Sequence, residues 1–222
     1  MNNPIRKRWS STAGLVAVAC LIATAQPAAA QLGARSAEQW IQMLDRPERI
    51  KGLNIDRVLE LLRLKPGQVL ADIGAGTGAF SLPLARSVVP GGKVYAVEVN
   101  QGLVDHIAQR ADTEGVENVE AVLGEFGDPS LPAQDVDLAF FHDVLHHVED
   151  RAGYLKNLAR YVKPDGRIAV IERTDIHRGG DQRHMRMTKD QVTAWMKEAG
   201  FQPAEEYFTL GENKWFVVYS RP

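Results

Sequence analysis

Asp72 and the three glycines that follow it, Gly74, Gly76 and Gly78, are the residues of this 222-residue chain best spaced to hold a ligand. The apolar run Val69 to Ile73 leads into them and reads as a buried strand. Phe80, Leu82, Leu84 and Ala85 then resume at helical spacing. Glycines in such a turn permit positive φ and remove Cβ atoms, so a ligand can lie on bare backbone at a helix N-terminus. Asp72 falls at the strand's C-terminal end, the edge where open α/β sheets bind ligands. A second acid, Glu98, closes the apolar run Lys93 to Val99, 24 residues after Gly74. A carboxylate there can accept from two vicinal ribose hydroxyls. Gly74, Gly76 and Ala79 also satisfy the G-x-G-x-x-G/A spacing of dinucleotide sites. The glycines and Glu98 therefore point to a nucleoside without choosing between cofactors.

Two later stretches carry further candidates. Val119 to Leu123 reads as a third strand and runs into Gly124-Glu125-Phe126, where an acid follows a glycine at a strand end. Asp135 to Phe141 reads as a fourth strand and runs into His142-Asp143-Val144-Leu145-His146-His147. His142 and His146 lie four apart and would share a face if a helix began there. His142 and Asp143 are the leading general-base candidates, with His146 beside them, and His147 reads as structural. With Asp150 three residues further on, three histidines and two aspartates invite a metal hypothesis, but no metal is expected.

In order, these motifs resemble those of class I S-adenosylmethionine (SAM) methyltransferases. Asp72 to Gly78 gives D-x-G-x-G-x-G, similar to that family's motif I. Glu98 is similar to its motif II acid. Glu125-Phe126 stands where the family more often has Asp-Ala beside the adenine. The Leu145-His146-His147 segment resembles the quinone-biosynthesis and small-molecule group, and Lys163 to Glu172 resembles the family's fifth-strand entry. The resemblance covers about residues 53 to 220. It implies a Rossmann-like α/β domain with a seven-stranded, mostly parallel sheet of order 3-2-1-4-5-7-6, helices on both faces and a C-terminal antiparallel hairpin. It implies SAM as cofactor, held by Asp72, Gly74, Ala75, Gly76, Gly78, Glu98, Val99, Glu125, Phe126 and Phe141. The reaction implied is in-line displacement by a small-molecule acceptor, in which alignment supplies most of the acceleration.

The remaining elements would position these groups. Ala34 to Leu44 reads as a helix carrying Trp40, and Arg46-Pro47-Glu48-Arg49 breaks it. Asn54 is placed to cap a second helix carrying Ile55, Val58, Leu59 and Leu62. Residues 31–52 would form a helical lid, with Trp40 and Arg49 facing the acceptor and Arg49 suited to a carboxylate. His177 and Arg183, in an irregular stretch after the fifth strand, would form another wall of that pocket. Thr188 and Gln191 make a capping box for the last helix. Phe201 to Leu210 and Trp215 to Tyr219 read as the closing hairpin, which fits a methyltransferase sheet better than an NAD domain.

Arg6-Lys7-Arg8, the apolar Gly14 to Ala25 and Ala28-Ala29-Ala30 read as a secretory signal over residues 1–30, too short for a membrane span. A lipid anchor at Cys20 is the alternative. Cleavage near Ala30 would leave a periplasmic chain of 192 residues, with 23 Lys+Arg against 28 Asp+Glu and a net charge of −5. That balance gives no reason to expect nucleic acid as a partner. The single cysteine, Cys20, would be lost with the signal, which excludes disulfides and thiol chemistry. SAM is made in the cytoplasm, so export also raises the reading of a non-catalytic SAM- or nucleoside-binding protein. An NAD-dependent oxidoreductase is the third reading. Oligomeric state is not legible in the sequence.

Overall fold

A computed structural model describes residues 35–173, 187–208 and 213–222. Seven strands form one sheet: β1 (Val69–Ile73), β2 (Lys93–Glu98), β3 (Val119–Leu123), β4 (Val136–His142), β5 (Val162–Arg173), β6 (Gln202–Tyr207) and β7 (Lys214–Ser220). Their order is β3-β2-β1-β4-β5-β7-β6, as the sequence implies. β3, β2, β1, β4 and β5 run parallel, and β7 pairs antiparallel with β5 and β6. This is the Rossmann-like methyltransferase fold.

Alternation along each strand splits the core. Ile73, Val97, Phe141 and Val170 turn to the face covered by α6 (Arg151–Leu158) and α7 (Lys189–Glu198), through Leu155, Leu158, Val192 and Met196. Leu70, Val94, Phe140 and Ile171 turn to the other face. There they meet α3 (Ile55–Leu62) and α4 (Ser81–Ser87), through Val58, Leu62, Leu82 and Leu84. On that second face α5 (Gln101–Thr113) sets Ile107 against Ala96. Burial on both faces explains why the central strands read as continuous apolar runs.

Several local expectations change in detail. Pro47 does not simply break the first helix, α1 (Ala37–Leu44). It occupies the first turn of a short helix of its own, α2 (Pro47–Gly52), where its missing N–H costs nothing. Asn54 precedes α3 but does not cap it. Its backbone is left-handed, with φ of 51°, and its side-chain amide donates to the Gly52 carbonyl. Lys163 to Gly166 is not a turn before the fifth strand but an excursion within it. The register steps from Val136 opposite Val162 to Leu138 opposite Arg167. The Thr188–Gln191 capping box is present. The expected hairpin turn falls partly outside the described residues. Among the described residues no helix is long and apolar enough to cross a membrane.

Phe140 sits at the centre of the sheet, opposite Asp72 in the β1–β4 register and fully buried. Its ring meets Phe80 edge-on at 5.0 Å. Phe140→Ala would leave a cavity between the sheet and the segments packed on that face. We expect a loss of about 3–5 kcal/mol in unfolding free energy, read by urea denaturation. A loss below about 1 kcal/mol would show that the site relaxes instead.

Candidate functional site

The cleft opens at the C-terminal ends of β1, β2 and β4. Gly74 and Gly76 have φ of 69° and 59°, values that non-glycine side chains rarely adopt. A Cβ at Gly74 would lie 2.1 Å from Val144 Cγ2, and one at Gly76 would lie 3.1 Å from Leu44 Cδ1. The turn is stitched to β2 by its own backbone. Gly74 and Ala75 N–H both donate to the Val97 carbonyl, at 2.9 Å each. Gly76 N–H donates to Glu98 Oε2 at 3.0 Å, while Val99 and Asn100 N–H reach Oε1 at 2.8 and 3.3 Å. Burial pushes the Glu98 carboxyl above its ordinary range, and these three donors pull it back.

Asp72 lies beneath the turn, buried, with one oxygen accepting from Ser81 Oγ at 2.6 Å. Burial pushes its carboxyl up to about 7, and the nearby Glu98 charge adds to the rise while Ser81 opposes it. Glu125 and Phe126 follow β3 and form a far wall of the cleft. The Glu125 N–H is spent on the Asp128 carbonyl at 2.8 Å.

At the end of β4 the chain turns sharply. Asp143 is left-handed, with φ of 53°, and its N–H donates to the Ile171 carbonyl at 2.9 Å. His142 Nε2 faces Lys214 Nζ at 3.1 Å. An ammonium can only donate, so Nε2 offers its lone pair and Nδ1 carries the proton. Burial drives the His142 pKa down to about 3, so the ring is neutral at pH 7. Lys214 Nζ also lies 3.5 Å from Asp143 Oδ2.

Of the residues singled out in the sequence, Asp72, Gly74, Ala75, Gly76, Glu98, Val99, Glu125 and Phe126 line one cleft together with His142, Asp143, Trp40 and Arg49. Three others do not line it. Gly78 turns toward Leu82 and Ile107 behind the loop. Phe141 is fully buried because strand alternation turns its ring into the core, where it packs beneath Tyr154, and Tyr154 rather than Phe141 reaches the cleft. His146 is turned away and bonds Glu172 through Nδ1 at 2.9 Å, while His147 takes the position on the cleft wall. His177 and Arg183 lie outside the described residues. Among the described residues no cluster of three or more His, Cys, Asp or Glu is placed to hold a metal ion.

Sequence reasoning missed three features. Thr77 Oγ1 donates to Asp45 at 2.5 Å and ties α1 to the glycine turn. Lys214 reaches His142 from 72 residues away. Glu172, an acid closing an apolar strand, accepts from both the ring and the backbone N–H of His146. Only the last left a trace in the sequence, as a charged residue at the end of a buried run.

The described donors suit an adenosyl ligand. Bare backbone lies at the glycine turn, and a carboxylate closes β2 with Oε2 accepting only one backbone N–H. Residues 71–170 match the family model described as a methyltransferase domain. Nocamycin O-methyltransferase of Saccharothrix syringae is 33% identical over 114 residues, which cover 51% of this chain and 41% of that protein. Ubiquinone/menaquinone biosynthesis C-methyltransferase UbiE of Hydrogenovibrio crunogenus is 28% identical over 115 residues, covering 51% and 45% respectively. The chain thus spans less than half the length of these relatives. A SAM-dependent methyltransferase from Aquifex aeolicus superposes with a TM-score of 0.74 and 26% identity, over 83% of this chain and 98% of that one. Magnesium protoporphyrin IX methyltransferase from Synechocystis PCC 6803 with bound SAM superposes at 0.70 and 17% identity, over 90% and 99%.

Asp72 supplies a pH test of the site. The unfolded carboxyl titrates near 3.8, while the folded one holds its proton up to about 7. The native state therefore binds more protons across that window, and this group's contribution to stability falls as pH rises through it. Asp72→Asn keeps an acceptor oxygen for Ser81 and carries no charge. Between pH 4.5 and pH 8 it should lessen the decline in unfolding free energy by about 3 kcal/mol. Urea titrations at the two pH values read this directly, and parallel profiles for the two proteins would contradict it.

Proposed function

We propose that this protein is a SAM-dependent methyltransferase acting on a small-molecule acceptor. The observation that carries the reading is Glu98. Its carboxylate ends β2 inside the cleft, both oxygens are fixed by backbone N–H groups, and the glycine turn it anchors faces the same space. SAM is the cofactor. Glu98 would hold its ribose, Glu125 and Phe126 would line its adenine, and the glycine turn would carry its methionine half. When bound, SAM supplies an activated methyl on sulfonium. The chain's residues orient it and hold the acceptor in line, and α1 shields the cleft from water through Trp40 and Leu44. The match to the methyltransferase-domain model and the relatives' names support this class. The acceptor is not among what they supply.

Calorimetric titration with SAM and S-adenosylhomocysteine tests the reading. Wild-type protein should bind both at micromolar concentrations. Glu98→Ala, which removes the charge-assisted hydrogen bond its remaining lone pair offers to ribose, should weaken both by about 30- to 100-fold. A folded protein that binds neither would remove the proposal.

We also propose export, with residues 1–30 removed as a signal, on the strength of the basic, apolar and small-residue segments at the N-terminus. N-terminal sequencing of the protein from its native host should begin near Gln31. An intact Met1 would refute cleavage, and a lipidated Cys20 would replace it with an anchor.

A further inference from the structure

The acceptor end of the cleft is unevenly charged. Arg49, on α2, lines it and is half-buried. One guanidinium nitrogen donates to the Leu44 carbonyl at 3.2 Å, which fixes the side chain. Its other N–H groups have no partner among the described residues. The two carboxylates whose charges reach Arg49 are Asp143 and Asp45, and each faces another cation. Asp143 lies 3.5 Å from Lys214. Asp45 accepts from Thr77 and faces Arg110 at 3.9 Å and His106 at 3.8 Å. Neither carboxylate comes within 4.0 Å of Arg49. His142, the remaining titratable group beside Arg49 and Asp143, is neutral. Arg49, Lys214, Asp143 and His142 together therefore carry a net charge of +1. Bound SAM, with an ammonium, a sulfonium and a carboxylate, adds another. A half-buried guanidinium left without a counter-charge is unfavourable, and its planar fork matches a carboxylate edge-on.

We propose that Arg49 is the anion-recognition residue of this site, and that the methyl acceptor carries a carboxylate or equivalent oxyanion that docks on its open edge. This deepens the methyltransferase reading and rests on it. The assignment to acceptor rather than cofactor follows from placement. Arg49 stands over the end of β4 with His142 and Asp143, whereas Glu98 ends β2, on the other side of the glycine turn that follows β1. The open edge also gives the site selectivity, since a neutral acceptor of the same shape would have to cover Arg49 without satisfying it.

The test compares 4-hydroxybenzoate with 4-hydroxybenzamide, nearly the same in shape but differing by one charge. Each is titrated into the full chain loaded with S-adenosylhomocysteine. The acid should bind at least tenfold more tightly than the amide. Arg49→Met should abolish that preference while S-adenosylhomocysteine affinity stays within about threefold, and Arg49→Lys should keep part of it. A merely structural role for Arg49 would weaken acid and amide alike. The proposal is overturned if acid and amide bind equally in the wild type, including if neither binds, or if the preference survives in Arg49→Met. It is also overturned if Arg49→Met instead loses S-adenosylhomocysteine, which would place Arg49 on the cofactor's own carboxylate. If S-adenosylhomocysteine does not bind the wild type at all, the cofactor reading fails by itself. The same acid–amide comparison on the unloaded protein then decides whether Arg49 takes an anion.

Discussion

The site depends on the way the first glycine turn is sewn to the neighbouring strand. Parallel pairing of β1 with β2 sets Ile73 beside Val97, so the chain leaves both strands at one edge. The Val97 carbonyl then takes two consecutive N–H groups from the turn, and Glu98 takes a third. Buried backbone donors need such partners, and here the next strand end provides them. The turn is held open in this way, with its glycines facing the cleft. Because Glu98 does this anchoring, its position in the cleft is set by the backbone and not by side-chain rotamer alone.

The same turn also positions the cover. Thr77 lies between Gly76 and Gly78 and holds Asp45, the residue that ends α1. Leu44 rests against the space that a side chain at position 76 would fill, and Ala37 rests against Gly102 on α5. No residue of α1 is buried, so few apolar contacts hold this helix in place. Its placement relies on a hydroxyl–carboxylate bond and on two close approaches that glycines permit. The cover, the turn and the ribose-facing carboxylate therefore form one connected assembly, and a change in any of them reaches the others through the loop.

Local patterns in the sequence carried the parts of the molecule that depend on local physics. A five-residue apolar run followed by spaced glycines has few alternatives to a strand and a tight turn, and Glu98 stands at the end of a similar run. The antiparallel pairing of the last two strands was also legible, because two closing strands separated by a short turn read as a hairpin, while the full sheet order came from the family resemblance. What escaped was contact between distant segments. Nothing near Lys214 marks it as the partner of His142, and nothing near Asp45 points to Thr77. Phe141 and His146 show the limit within a motif: both sit beside cleft residues in sequence, yet strand alternation sends one into the core and Glu172 draws the other aside. Pro47 shows the limit of a breaker rule, since the residue that ends one helix is well suited to begin the next.

The arrangement at the end of β4 bears on whether the proposed reaction has a base available. His142 looks suitable by residue type, but its Nε2 lone pair is directed at Lys214 and burial keeps the ring neutral. To accept a proton it would have to give up Lys214 and become a cation beside Lys214 and Arg49. Both changes are unfavourable in a buried site. Asp143 shares Lys214 and is held by a left-handed backbone, which limits how far it can move. Methyl transfer from a sulfonium makes modest demands on such groups, because the leaving group is a neutral thioether and approach geometry dominates the barrier. A rigid, positively biased end wall therefore suits the chemistry better as a positioning surface than as a proton sink. On this view His142 serves by fixing Lys214, and Lys214 serves by neutralising Asp143. Among the described residues of this wall, that leaves Arg49 with an edge open to the substrate.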